Sequence, residues 1–344
     1  MPNEKNNLLQ EIERLQQENR RMVEEKDVAD ERFRQQTSMF DTSLDFVKSQ
    51  NKELESSLAD LKMSKSELEN FAEELKSLLS TVEDQKSKIE HKTEELKASI
   101  NYAKHIQASI LPSPERMAKY FHDASLLFLP KDTVSGDFYW VDELQNGKIV
   151  IITGDCTGHG VPGAIMGAIV NSIINQTVNN QQLDTPAEII LAIHTLLLKT
   201  FQKNNAHNRD GLDISVSVID NKEKKMYFSA TMQELVYIQA GELHECKGNY
   251  FHLGREIERE SKEINTTTID LSIPTTFYMF SDGYSDQFGG EYDTKFMSKK
   301  LKKLLHEISQ KEILTQQQIL YQTLKSWQGK EEQTDDILVF ACRV

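Results

Sequence analysis

From residue 3 to residue 111 the chain has neither proline nor glycine, and that gap constrains its fold more than any other feature. These two residues interrupt regular structure, so a stretch of this length without them reads as helix. Every seventh residue from Ile12 gives an almost unbroken apolar row: Ile12, Asn19, Lys26, Phe33, Phe40, Val47, Leu54, Leu61, Leu68, Leu75, Val82, Ile89, Leu96, Ala103 and Ile110. A sustained heptad repeat is the pattern of a coiled coil. The companion row lies three residues after the first early on (Leu15, Met22, Ala29) and four after it later (Leu58, Ala72, Leu79, Ile100). The seam therefore changes phase near residues 43–58. A lone helix would leave all these side chains in solvent, and Asn19 at a core position is a register device of parallel two-stranded coils. The expectation is a parallel homodimer through a coil over residues 1–110.

After Leu111-Pro112-Ser113-Pro114 the texture changes. Short alternating runs predict strands at 124–129, 137–141, 148–153, 212–219, 225–230, 235–239, 276–281 and 336–341, with Asp220-Asn221-Lys222 as a hairpin turn. Amphipathic stretches predict helices at 164–178, 186–201, 293–308 and 316–327. Strands in runs followed by helices in pairs indicate an α+β domain over residues 111–344, an antiparallel sheet structure covered by helices.

Lys and Arg total 40 against 54 Asp and Glu, a formal net charge of -14. That balance disfavours nucleic acid and anionic membrane as partners. Cys156, Cys246 and Cys342 are odd in number and far apart, which suggests neither a disulfide framework nor a cysteine zinc site. The N-terminal residues lack the apolar core of a signal peptide, and no apolar run approaches the ~18 residues of a membrane span. The expected setting is the cytoplasm, with no membrane.

The chemistry is concentrated in acids at the ends of apolar runs, mostly beside glycine. Ile149–Ile152 lead to Asp155 inside VIITGDCTGHGVPGAIMG, where glycines allow backbone to pass close to whatever the carboxylate holds. One such acid is ordinarily a turn or helix cap, but the pattern recurs. Asp137 follows Ser135-Gly136, Asp282 follows FYMFS and precedes Gly283, and Asp335 and Asp336 open DDILVF. Asp210 in RDGLDIS is a further candidate, or an ordinary loop residue. Converging carboxylates repel unless a cation neutralises them, and a hard oxygen set with few histidines points to Mg²⁺ or Mn²⁺. No GxxxxGK[ST] phosphate loop is present.

Five segments in order, SGDFYW, GDCTGHGVPGAIMG, RDGLDIS, SDGYSDQFGG and QTDDILVF, resemble the SpoIIE-type branch of the PPM family, the metal-dependent serine/threonine protein phosphatases. The resemblance covers roughly residues 100–344, and IQASILP before the domain is similar to the helix that feeds such domains. It implies an α-β-β-α sandwich of two antiparallel sheets flanked by helices, with two Mn²⁺ or Mg²⁺ ions at the sheet edges. By motif position, Asp155 is the bridging ligand, with the Cys156 backbone carbonyl on the same metal. Asp282 and Asp335 serve the other metal, and Asp137 holds the first metal or its water. Asp336 is a further candidate metal ligand, at a position where relatives outside this branch carry Asn.

The implied reaction is in-line attack of activated water on a phosphoserine or phosphothreonine, without a phosphoenzyme. His159, the only histidine in its motif, is the candidate proton donor to the leaving oxygen. The implied substrate is a phosphorylated antagonist of an anti-sigma factor or a similar small regulatory protein, with the input arriving through the coil or a partner bound to it. Two departures stand out. Thr231-Met232-Gln233-Glu234 replaces the Asn-rich turn of many relatives, and Leu338 stands where many have Thr. The altered turn leaves open a second class of function, a scaffold that binds a signalling partner without turnover.

Overall fold

A computed structural model describes residues 21–22, 44–180, 183–202, 211–255 and 263–344. Helix α1 runs from Leu44 to Ile110 without a break. Within it Leu61, Leu68, Ile89 and Leu96, all members of the apolar row, are 52–65% exposed in the single chain. The upstream row, including Asn19 and Lys26, lies outside the described residues. By compactness the chain divides into Met1–Glu90 and His91–Val344, so the last turns of α1 belong to the second unit.

Pro112 ends the helix, because the residue before a proline is pushed out of helical conformation. Helix α2 (Pro114–Tyr120) follows, with proline in its first turn and the Ser113 hydroxyl accepting the Arg116 N–H. The strands are β1 (Ala124–Leu129), β2 (Asp137–Glu143), β3 (Ile149–Cys156), β4 (Leu212–Asp220), β5 (Lys225–Thr231), β6 (Glu234–Gln239), β7 (Glu242–Lys247), β8 (Thr267–Asp270), β9 (Thr275–Phe280), β10 (Phe288–Gly289), β11 (Thr294–Lys295) and β12 (Ile337–Arg343). Helices α3 (Gly160–Asn180) and α4 (Pro186–Gln202) separate β3 from β4. Helices α5 (Gly283–Asp286), α6 (Ser298–Ile308) and α7 (Ile313–Gln328) lie between β9 and β12.

Two five-stranded sheets form, in the orders β1-β12-β9-β6-β7 and β2-β3-β4-β5-β8. Every pairing within them is antiparallel. Period-two alternation divides each central strand between two cores. In β3, Val150 and Ile152 pack with α3 and α4, while Ile149 and Ile151 face the other sheet. Phe277 and Met279 of β9 join the layer between sheets, whereas Tyr278 packs toward α6 and α7. The result is the expected four-layer sandwich, helices outside two antiparallel sheets.

Three differences from the sequence expectation have local causes. The helix expected at 293–308 begins at Ser298, because Thr294 and Lys295 pair with Phe288 and Gly289. Strands β7 and β8 are edge strands with mostly solvent-facing side chains, so they lack the alternation that marks a half-buried strand. The segment Gly160–Val178 of α3 is long and apolar enough to cross a membrane by length and composition, contrary to the expectation that no run approaches that size. Half of it is buried, and Val170, Ile173 and Ile174 pack on the sheet.

Candidate active site

The ends of β2, β3 and β4 bring three acids into one row. Asp155 sits opposite Asp137 on one side and opposite Asp213 on the other. Directly opposed residues share a sheet face with Cβ atoms about 5 Å apart, and like charges there are destabilising. Asp155 thus lies inside its strand, one residue before the end, rather than in a turn. Asp213 belongs to the RDGLDIS stretch but carries no signal of its own in the sequence, because an acid near the start of a strand reads as solvated. Asp210 lies outside the described residues.

The second sheet supplies the other acids where β9 ends and β12 begins, since those strands are antiparallel neighbours. The Ser281 hydroxyl donates to Asp137 Oδ2 at 2.6 Å and accepts the Leu338 N–H at 3.0 Å, joining the two sheets at the site. Asp282 occupies the N-cap position of α5, yet its side chain makes no capping bond. Gly283 is required after it: a Cβ there would lie 1.9 Å from the Asp336 carbonyl oxygen. Asp335 Oδ1 accepts the Asp336 N–H. Asp336 itself faces the loop before β2, its two oxygens accepting the Lys131 and Gly136 N–H groups at 2.7 Å each.

The loop after Asp155 packs by direct backbone approach. A Cβ on Gly136 would come 2.6 Å from the Gly158 carbonyl and 3.1 Å from that of Cys156, and one on Gly163 would come 2.3 Å from the Gly158 carbonyl. Those glycines hold the Cys156 carbonyl against the Asp137 loop. Gln107, near the end of α1, grips the same loop with its amide, donating to the Ser135 carbonyl and accepting the Ser135 N–H.

Two adjoining openings share Asp155 and Asp213. One is lined by Met232, Gln233, Tyr250 and Asp282, so the altered turn borders the site. Gln233 Nε2 donates to the Asp213 carbonyl, which leaves its buried Oε1 without a partner. The other opening is lined by Cys156, His159, His252, Arg255 and Asp335. His159 is half exposed, and its Nδ1 bonds Asp132 at 2.8 Å. His252 Nδ1 bonds Asp213 at 2.5 Å. Neither Asp132 nor His252 carried a motif signal in the sequence.

Burial is the largest cause that lifts the Asp137 and Asp155 carboxyls well above the usual range, and neighbouring acids add to it. Asp282 reaches solvent, yet the protein around its carboxyl, with Asp286, Asp335 and Asp213 nearby, pushes it up to about 6. Burial also raises Asp213, opposed by the His252 bond. Among the described residues no three His, Cys, Asp or Glu side chains are drawn together as a formed metal site. The donor set nonetheless fits a hard divalent cation. Its ligating atoms are oxygens, their charges repel, and Asp137 Oδ1 is buried with no hydrogen-bond partner.

A four-layer sandwich with acids gathered at the ends of both sheets defines the PP2C-like phosphatase fold. Residues 145–344 match the profile of Stage II sporulation protein E (SpoIIE), and the chain belongs to the SpoIIE family, homologous to PP2C serine/threonine phosphatases. The SiaA-PP2C domain of Pseudomonas aeruginosa is similar at 26% identity and TM-score 0.66, over 73% of this chain and 98% of that one. The PP2C phosphatase domain of SpoIIE from Bacillus subtilis, solved with a fragment of its regulatory domain, shares the fold at 14% identity and TM-score 0.53, over 64% of this chain and 63% of that one. The RsbU and RsbW domains of a Mycobacterium tuberculosis protein do so at 14% identity and TM-score 0.50, over 64% and 60%. No curated protein sequence matches the chain.

Proposed function

We propose that the chain removes phosphate from serine or threonine of a small regulatory protein, of the kind that antagonises an anti-sigma factor, in a Mn²⁺- or Mg²⁺-dependent reaction controlled through its N-terminal coil. The observation that carries the metal reading is the row Asp137, Asp155, Asp213 across three adjacent strands. Three opposed carboxylates on one sheet face call for a cation. Asp155, the middle member, would hold a cation, with the Cys156 carbonyl beside it. Asp137 would serve the same ion, and Asp282 and Asp335 would hold a second.

When bound, two such ions neutralise phosphate charge and make water acidic enough to act as a nucleophile at neutral pH. The chain's own groups do the rest. Ser281 fixes Asp137 by its hydrogen bond, Asp132 orients His159, and His159 gives the proton to the leaving oxygen. Asp336, with both oxygens on backbone N–H groups, holds the 131–136 loop in place.

Residues 1–110 form the dimerisation coil and residues 111–344 the catalytic domain. The exposed apolar row on α1 supports a second helix against it. The Gln107 grip on Ser135 offers a direct route from coil to Asp137. The test is hydrolysis of p-nitrophenyl phosphate by the full chain with Mn²⁺. The expected result is turnover that stops on chelation and in a folded Asp155→Asn variant. Turnover that persists in either would overturn the metal assignment.

A further inference from the structure

The opening that contains Asp155 and Asp335 also gathers His159, His252 and Arg255, in a chain whose net charge is -14. Asp132 and Asp213 already hold the two histidines, each through Nδ1. Arg255 differs: it also lies in the field of the Asp213 carboxylate, but its Nε is enclosed and has no hydrogen-bond partner among the described residues. An enclosed guanidinium donor without an acceptor is costly, and a phosphate oxygen is the acceptor its forked geometry fits best.

The surrounding backbone is built to hold this group at the site. Leu253 exchanges two backbone hydrogen bonds with Leu212 at the start of β4, at 2.9 and 3.1 Å. Gly254 N–H donates to His194 Nδ1. These bonds fix the segment that carries His252 and Arg255 one strand away from Asp155. Gly211 leaves the room: a Cβ there would lie 3.0 Å from Arg255 Nε and 3.1 Å from His252 Cβ. Thr157, two residues after Asp155, bonds Gly211 at both its N–H and its carbonyl. The loop that carries Asp155 and the segment that carries Arg255 are therefore stapled together.

We propose that Arg255, flanked by His252, anchors the phosphoryl oxygens of the substrate at the Asp155 end of the cleft. The inference rests on the phosphatase reading for the source of the phosphate, and on geometry for the anion site itself. An arginine in this role recognises the dianion rather than the protein around it. It therefore acts on small and protein phosphomonoesters alike, and on the free phosphate product.

The experiment measures KM and kcat for p-nitrophenyl phosphate with Mn²⁺, and competitive inhibition by inorganic phosphate, in wild type, Arg255→Gln and Arg255→Lys. For Arg255→Gln, KM and the phosphate inhibition constant should each rise about tenfold, the weight of one charge-assisted hydrogen bond. Arg255→Lys should recover part of that loss, since it keeps the charge without the fork. A folded Arg255→Gln protein with both constants within about twofold of wild type overturns the inference. If wild type hydrolyses nothing, the phosphatase reading fails on its own, and the anion site is tested by the rise in Tm that phosphate gives. A rise in wild type that Arg255→Gln loses supports the site; equal behaviour of the two proteins refutes it.

Discussion

Replacing Asp282 with asparagine should make the metal-free protein more stable at neutral pH while impairing its response to metal. The Asp282 carboxyl is raised from 3.8 to about 6 by its desolvated setting and the acids around it. Below pH ~4 the group is protonated in both folded and unfolded chains and costs nothing. As pH rises from ~4 to ~6 the unfolded chain ionises first, and above ~6 the folded state bears the whole cost. At 1.36 kcal/mol per unit the full conversion is ~3 kcal/mol. Because Asp282 reaches solvent, screening reduces this to ~1 kcal/mol. That corresponds to about 2–4 °C in Tm for a domain of this size. The assay is thermal unfolding in chelator at pH 4.5 and pH 7.5, repeated at pH 7.5 with saturating Mn²⁺. Asp282→Asn should melt about 2–4 °C above wild type at pH 7.5 and close to it at pH 4.5. With Mn²⁺ the order should invert, since an ion held at 100 times its Kd adds ~2.7 kcal/mol to the intact site. A variant that melts below wild type in chelator at pH 7.5, or a difference independent of pH, would refute the electrostatic reasoning.

Asp336→Ala should destabilise the domain by about 2–4 kcal/mol, since it leaves the Lys131 and Gly136 N–H groups without their carboxylate; urea unfolding measures this. Light scattering on the full chain should give a dimer at micromolar concentration, and a monomer would refute the coil assignment. Inserting one residue near Lys97 turns the following helix by about 100°, and inserting seven returns it to within ~20°. Activity should fall with one and recover with seven if Gln107 carries the coil's state to the Ser135 loop, and equal activities would make the coil a tether only.

The helix Leu44–Ile110 and the two-sheet fold were legible because each leaves a periodic trace. The absence of proline and glycine, with an apolar row at seven, specifies the long helix described from Leu44 wherever its seam finally packs. Eight alternating runs located eight of the strands of the two five-stranded sheets, and missed β7 and β8, whose side chains mostly face solvent on sheet edges, and the two-residue strands β10 and β11, too short to show a period. The acids Asp137, Asp155, Asp282 and Asp335 were visible for a related reason. Each stands at one end of an apolar run, and Asp137, Asp155 and Asp282 stand beside a glycine, where burial makes an ionised side chain expensive without a purpose. What the sequence could not reveal was who stands opposite whom. The alignment of Asp213 with Asp155 depends on the register of β3 against β4, two strands separated by 55 residues of chain. The roles of Ser281, Asp132 and Arg255 depend on contacts between elements distant in the chain. Asp335 and Asp336 are adjacent and alike in sequence, yet one borders the opening and the other turns to clamp a loop. Side chains alternate across a strand's start, so only the packed sheets decide which of two neighbouring carboxylates meets the site and which meets the backbone.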